Sequence, residues 1–116
     1  WTGIPMIDII QQVIPISAAR YVVFRSYQQD HGSEFYEVLD LELVKHPQTI
    51  LAYEMNGNSL DVGHGAPIRL RCETQLGYKM VKWIKSIEFV DDFSNIGMGQ
   101  GGSREDHMYY SRGAGI

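Results

Sequence analysis

The sequence predicts an α+β domain, mainly sheet with short helices, and three observations carry that prediction. Stretches rich in β-branched and aromatic residues recur between turn-forming residues, at Tyr21 to Ser26, Phe35 to Leu39, Ile50 to Met55, Ile68 to Glu73 and Trp83 to Val90. They give a set of about five strands. Apolar residues at helical spacing are confined to short segments beside Pro5 and Pro47. A chain of 116 residues allows one domain with a modest core.

The elements follow in order. Met6, Ile7, Ile9, Ile10, Val13 and Ile14 fall at helical spacing after Pro5, and Asp8 suits the first turn, so a short buried helix is predicted from Met6 to Ile14. Tyr21 to Ser26 and Phe35 to Leu39 read as a hairpin joined by a polar turn over Gln28 to Ser33. Leu41 to Lys45 fits one helical turn ended by Pro47. Ile50 to Met55 runs into Asn56-Gly57, a pair suited to positive φ that turns the chain back toward Leu60. Beyond Asp91 the pattern fades, and Gly97 to Gly102 predicts a flexible, irregular tail. The organisation expected is a core over residues 1–95 and a glycine-rich tail over residues 96–116.

Composition narrows the function. The chain is 44% apolar and 21% charged, as in an ordinary globular domain, and carries no apolar run near the roughly 18 residues of a membrane span. Fourteen acidic against ten basic residues give a formal charge of −4, which argues against a nucleic-acid surface but leaves room for a local anion site. Cys72 is the only cysteine, so no intrachain disulfide or multi-cysteine metal site forms. In a predicted strand, Cys72 reads as a small core residue. His31, His46 and His107 have no metal-ligand spacing, so no metal site is expected from them. The compartment is not set by these features.

The candidate site lies in His64-Gly65-Ala66-Pro67-Ile68-Arg69 and, eight residues on, Gly77-Tyr78-Lys79-Met80-Val81-Lys82-Trp83. Glycine-marked turns here carry His, Arg and Lys, the donors that suit a phosphate. Arg69 offers a planar fork for two phosphate oxygens, with Arg71 on the same strand face as the competing choice. Any of these taken singly is an ordinary surface side chain.

The segments together resemble the molybdopterin-binding domain of the sulfite oxidase family, which includes assimilatory nitrate reductases and bacterial methionine-sulfoxide reductases. Trp1 to Pro5, Arg20 to Ser26, and His46 to Gly57 resemble family blocks in the family's order. The resemblance implies molybdopterin as cofactor, with side-chain contacts from His64, Arg69 and Lys82, main-chain contacts from Met80 and Val81, and a hydroxyl contact from Ser26. Tyr109 or Tyr110 falls where the family supplies a substrate-pocket tyrosine. The family's molybdenum-binding cysteine lies upstream of the block resembling Trp1 to Pro5, so the expectation is a partial domain, inactive and without the cofactor as an isolated chain. A homo-oligomer built through the first helix or the segment around Met108, and an electron-transfer partner of the intact enzyme, are further expectations. The alternative is a non-catalytic structural or self-association module derived from that domain.

Overall fold

The structure, a computed structural model, describes residues 1–13, 17–30, 33–72 and 80–106. The described chain runs β1 (Thr2–Pro5), α1 (Met6–Val13), β2 (Tyr21–Asp30), β3 (Ser33–Asp40), α2 (Leu41–Val44), β4 (Ile50–Met55), β5 (Asn58–Ser59), a 3-10 turn (Val62–His64), β6 (Arg69–Arg71) and β7 (Ile84–Val90). These strands form two antiparallel sheets. In one, β4 pairs with β1, β5 and β6; in the other, β2 lies between β3 and β7. The mainly β, short-helix class expected from the sequence is what forms.

Burial explains the composition of β2. Its residues Val22, Val23 and Phe24 are all fully buried, which requires cover on both faces of the sheet. Val22 and Phe24 face the main core, with Met6 and Ile10 of α1, Leu51 of β4, Leu70 of β6 and Ile84 of β7. Val23 faces the other way, into a smaller cluster with Tyr36, Val38, Phe93 and Ile96. Truncating Phe24 to Ala would cost about 3–5 kcal/mol. Met6 and Ile10 of α1 are covered by the chain's own core, while Val13 at its end is exposed.

Three local predictions need adjusting. The polar turn expected over Gln28 to Ser33 is narrower: the strands run on to Asp30 and resume at Ser33. Cross-strand charge supports the polar end, where Arg25 pairs with Glu34 and Glu88, and Lys85 with Glu34. The expected set of about five strands gains one at residues 2–5, where Thr2 and Ile4 suit a strand, Gly3 and Pro5 do not, and pairing with β4 decides. The glycine run is no loose linker up to residue 106. Gly101 accepts from the Val38 backbone N–H at 2.9 Å, Gly102 bridges to Glu37, and Phe93 and Ile96 cap the outer cluster.

Two other expectations hold. Asn56 and Gly57 adopt φ of 54° and 81° and reverse the chain into β5. The helical turn after β3 is capped by Asp40, whose carboxylate accepts from the Glu42 N–H at 2.9 Å.

Candidate functional site

One corner of the β4 sheet is built around Gly65. This residue ends the 3-10 turn with φ 109°, and a Cβ placed on it would lie 3.0 Å from Arg69 Cβ and 3.1 Å from Lys82 Cβ. A glycine is needed here for both reasons. It lets the side chains of Arg69, from β6, and Lys82, from the segment entering β7, pass close to the turn.

Their charged ends meet the same piece of backbone. Arg69 Nη1 donates to the His64 carbonyl at 3.3 Å, and Lys82 Nζ donates to the adjacent Gly63 carbonyl at 3.5 Å. Arg69 Nη2 reaches the Met80 carbonyl at 3.5 Å. These are long, weak bonds. Arg69 Nε is buried with no hydrogen-bond partner among the described residues. The ion pairs there join Arg25, Lys45, Lys85 and His64 to carboxylates, and none involves Arg69 or Lys82.

The electrostatics match. Burial, and then the neighbouring charge of Arg71, lower the Arg69 pKa from its ordinary value. Both effects signal a cation that an incoming anion would stabilise. A phosphate carrying two charges suits two such donors, with charge-assisted bonds replacing weak carbonyl contacts.

Of the residues singled out by the sequence, the structure brings His64, Arg69, Met80, Val81 and Lys82 to this corner. The His64 ring is held through Nδ1 by Asp61 at 2.7 Å, and its backbone N–H is bound by the same carboxylate at 2.8 Å. These bonds hold the Asp61 carboxyl below its usual range. Val81 is buried, and its carbonyl accepts from the Leu70 N–H at 2.8 Å, tying the Lys82 segment to β6.

Ser26 sits differently from what its position in the sequence suggests. It is 1% exposed, and its hydroxyl donates to the Lys82 carbonyl at 2.7 Å while accepting from the Gln28 N–H at 2.9 Å. Its contact is with the segment that carries Lys82 into β7. Cys72 is buried, with Thr49 Oγ1 at 3.5 Å from its sulfur, as expected of a core thiol. Tyr109 and Tyr110 lie outside the described residues.

Sequence reasoning missed Asp61 and the structural part of Trp83. Asp61 could have been found as an Asp three residues before a His in a glycine turn, a capping pattern. Trp83 adopts φ 51°, donates from its indole to the Val62 carbonyl at 2.6 Å and lies 4.9 Å beneath Lys82 Nζ. No local signal announces that positive φ.

Comparison with known proteins gives the corner its context. The family described as "Oxidoreductase molybdopterin binding domain" matches residues 1–96. The protein-methionine-sulfoxide reductase catalytic subunit MsrP of Xanthomonas campestris is 33% identical over 101 residues, covering 78% of this chain and 31% of that protein. The NADPH nitrate reductase of Fusarium oxysporum is 30% identical over 97 residues, covering 82% of this chain and 11% of that protein. The chain therefore spans about a third or less of the length of these relatives. The sulfane dehydrogenase SoxCD of Paracoccus pantotrophus shares the fold, with a TM-score of 0.67 at 23% identity over 78% of this chain and 22% of that one. With a match across β1 to β7 and a fold shared with a solved relative, the chain belongs to the oxidoreductase molybdopterin-binding domain family, that of sulfite oxidase.

Proposed function

We propose that this chain is the cofactor-anchoring part of a molybdopterin-dependent oxidoreductase, with Arg69, Lys82 and His64 holding the phosphate end of the cofactor. The observation that carries this reading is the convergence of Arg69 and Lys82 on the neighbouring His64 and Gly63 carbonyls, with no carboxylate paired to either cation among the described residues. Arg69 supplies a planar fork and Lys82 a compact charge. With Asp61 on Nδ1, the His64 ring donates to an anion from Nε2 in its protonated form. Met80 and Val81 lie beside the same corner and offer main-chain contacts, while Ser26 fixes the Lys82 segment from beneath.

When bound, the molybdenum and pterin dithiolene supply the redox chemistry; the protein supplies binding and orientation. The reaction class we assign to the intact enzyme is oxygen-atom transfer on a small sulfur- or nitrogen-containing substrate. The activities for which its sulfoxide reductase and nitrate reductase relatives are named support that assignment. Cys72 is buried in the core and has no part in holding the metal in this reading. No helix among the described residues is long and apolar enough to cross a membrane.

The same reading includes association with a further copy or subunit. Exposed Trp1, Ile4 and Val13 along β1 and α1 support it. Light scattering at high micromolar concentration should report a species larger than one chain, and a strictly monomeric protein would remove this part.

The anchoring role is tested by gel filtration of the full chain with molybdopterin. Pterin absorbance should co-elute with the unsubstituted chain and be lost with Arg69→Ala and Lys82→Ala. Co-elution that neither substitution changes would overturn the site; no co-elution at all would favour the non-catalytic module.

A further inference from the structure

Trp1 carries a contact that the phosphate corner alone does not explain. Its ring centroid lies 4.9 Å from the Arg69 Cζ and 4.5 Å from the Arg71 Cζ, so one indole meets two guanidinium groups. Trp1 remains 42% exposed, and burial of apolar surface is therefore only part of what places it there.

The sheet delivers the ring to this position. Gly3 pairs with Ala52 of β4, and Ala52 pairs with Arg69 of β6, which sets the three in one row across the sheet. β1 presses so closely on β4 that a Cβ on Gly3 would lie 2.2 Å from the Leu51 carbonyl oxygen. Two small residues, Gly3 and Ala52, thus separate the start of β1 from Arg69. A long side chain from position 1 can reach across them.

Arg69 and Arg71 stand two apart on β6, where alternate residues share a face and like charges repel. An aromatic face attracts both cations through its quadrupole and fixes the planes of their guanidinium groups. An anion site gains from such fixing, because less side-chain freedom is lost when the ligand binds.

We propose that Trp1 is a positioning residue of the anion corner, orienting the Arg69 guanidinium, beside Arg71, toward a bound phosphate group. The inference rests on the reading of that corner as the phosphate-holding site.

The test is a titration of the full chain with inorganic phosphate, followed by NMR at the arginine side-chain Nε–H signals. It compares the unsubstituted chain with Trp1→Leu, Trp1→Phe and Lys82→Ala. Trp1→Leu should weaken phosphate binding about fivefold and abolish the ring-current displacement of the Arg69 and Arg71 signals, and Trp1→Phe should restore most of both. A purely structural Trp1 would not distinguish Phe from Leu in this way. If Lys82→Ala weakens binding while Trp1→Leu leaves both affinity and arginine signals unchanged, the positioning role falls and the site stands. If phosphate leaves the Arg69 signal of the unsubstituted chain unmoved, both fall. Trp1→Met repeats the comparison should Leu disturb the fold, with the same results deciding it.

Discussion

Two glycine-rich corners of this domain handle charge in opposite ways. Around Gly65, cations converge on carbonyls with long bonds and no carboxylate partner among the described residues. Around Gly97 to Gly102, a carboxylate is enclosed. Asp106 accepts from the backbone N–H groups of Met98 and Gln100, each at 2.9 Å, and from the Tyr36 hydroxyl. Backbone donors that could greet an external anion are there taken by the chain's own acid. On our proposal, a glycine turn receives a ligand only where the donors around it are left weakly satisfied, and substitutions at the two corners test that rule.

The largest effect should come from the self-satisfied corner. Asp106 is 6% exposed, and Asp106→Ala leaves two backbone donors without their acceptor and the Tyr36 hydroxyl with only the Ile96 carbonyl, at 3.1 Å. A loss of about 3 kcal/mol is expected in urea denaturation, roughly 1 kcal/mol per hydrogen bond. Phosphate affinity, measured where the variant is still folded, should not change. A drop in affinity would show that the corners are coupled.

Gly65→Ala should act on both stability and binding. Its φ of 109° strains any other residue, and the added methyl meets Arg69 and Lys82 at 3.0 and 3.1 Å. About 1–2 kcal/mol of stability and about tenfold in phosphate affinity should be lost. Calorimetric titration beside thermal unfolding separates the two. Lost stability with intact affinity would mean that Arg69 and Lys82 need no glycine to converge.

Tyr36 tests the same enclosed carboxylate from its hydroxyl partner. Burial, followed by the Asp106 hydrogen bond and charge, raises the Tyr36 pKa well above its ordinary value. A raised folded pKa means that this stabilisation is fully present below the unfolded value of about 10 and is lost as pH rises toward the folded one. Stability should therefore fall in alkali above about pH 10, and Tyr36→Phe should flatten that limb. An unchanged alkaline limb would contradict the buried pair.

The smallest effect belongs to the exposed Asp61–His64 contact. Hydrogen bonds from the His64 ring and N–H lower the Asp61 pKa. A depressed folded pKa gives stabilisation that is present above the unfolded value and disappears as pH falls through the folded one. Asp61→Asn should slightly reduce the acid dependence of unfolding, and equal acid limbs in the two proteins would show that the contact contributes nothing measurable.

Much of the sheet was legible because Val22 to Phe24, Ile50 to Met55 and Ile84 to Val90 carry their preference in their side chains. Residues 2–5 do not: Gly3 and Pro5 are poor strand residues, and their pairing comes from β4, distant in sequence. The glycine run is irregular as expected, but its attachment to the sheet was missed for a related reason. Its order depends on Asp106 and on the outer face of β2 and β3, and neither is visible in a local window. At the candidate site, residue types and turns named His64, Arg69 and Lys82, but the shared need for Gly65 and the inward placement of Ser26 depend on three strands meeting. Tertiary contact decides such features.

We propose that the Gly65 corner, and not the Asp106 corner, receives a phosphate. Backbone amide shifts of the full chain during titration with inorganic phosphate at low ionic strength test it most directly. Perturbations should be concentrated at residues 62–69 and 80–83 and should vanish when Arg69→Ala and Lys82→Ala are combined. Perturbations centred on residues 97–106, or ones that persist in the double variant, would contradict it.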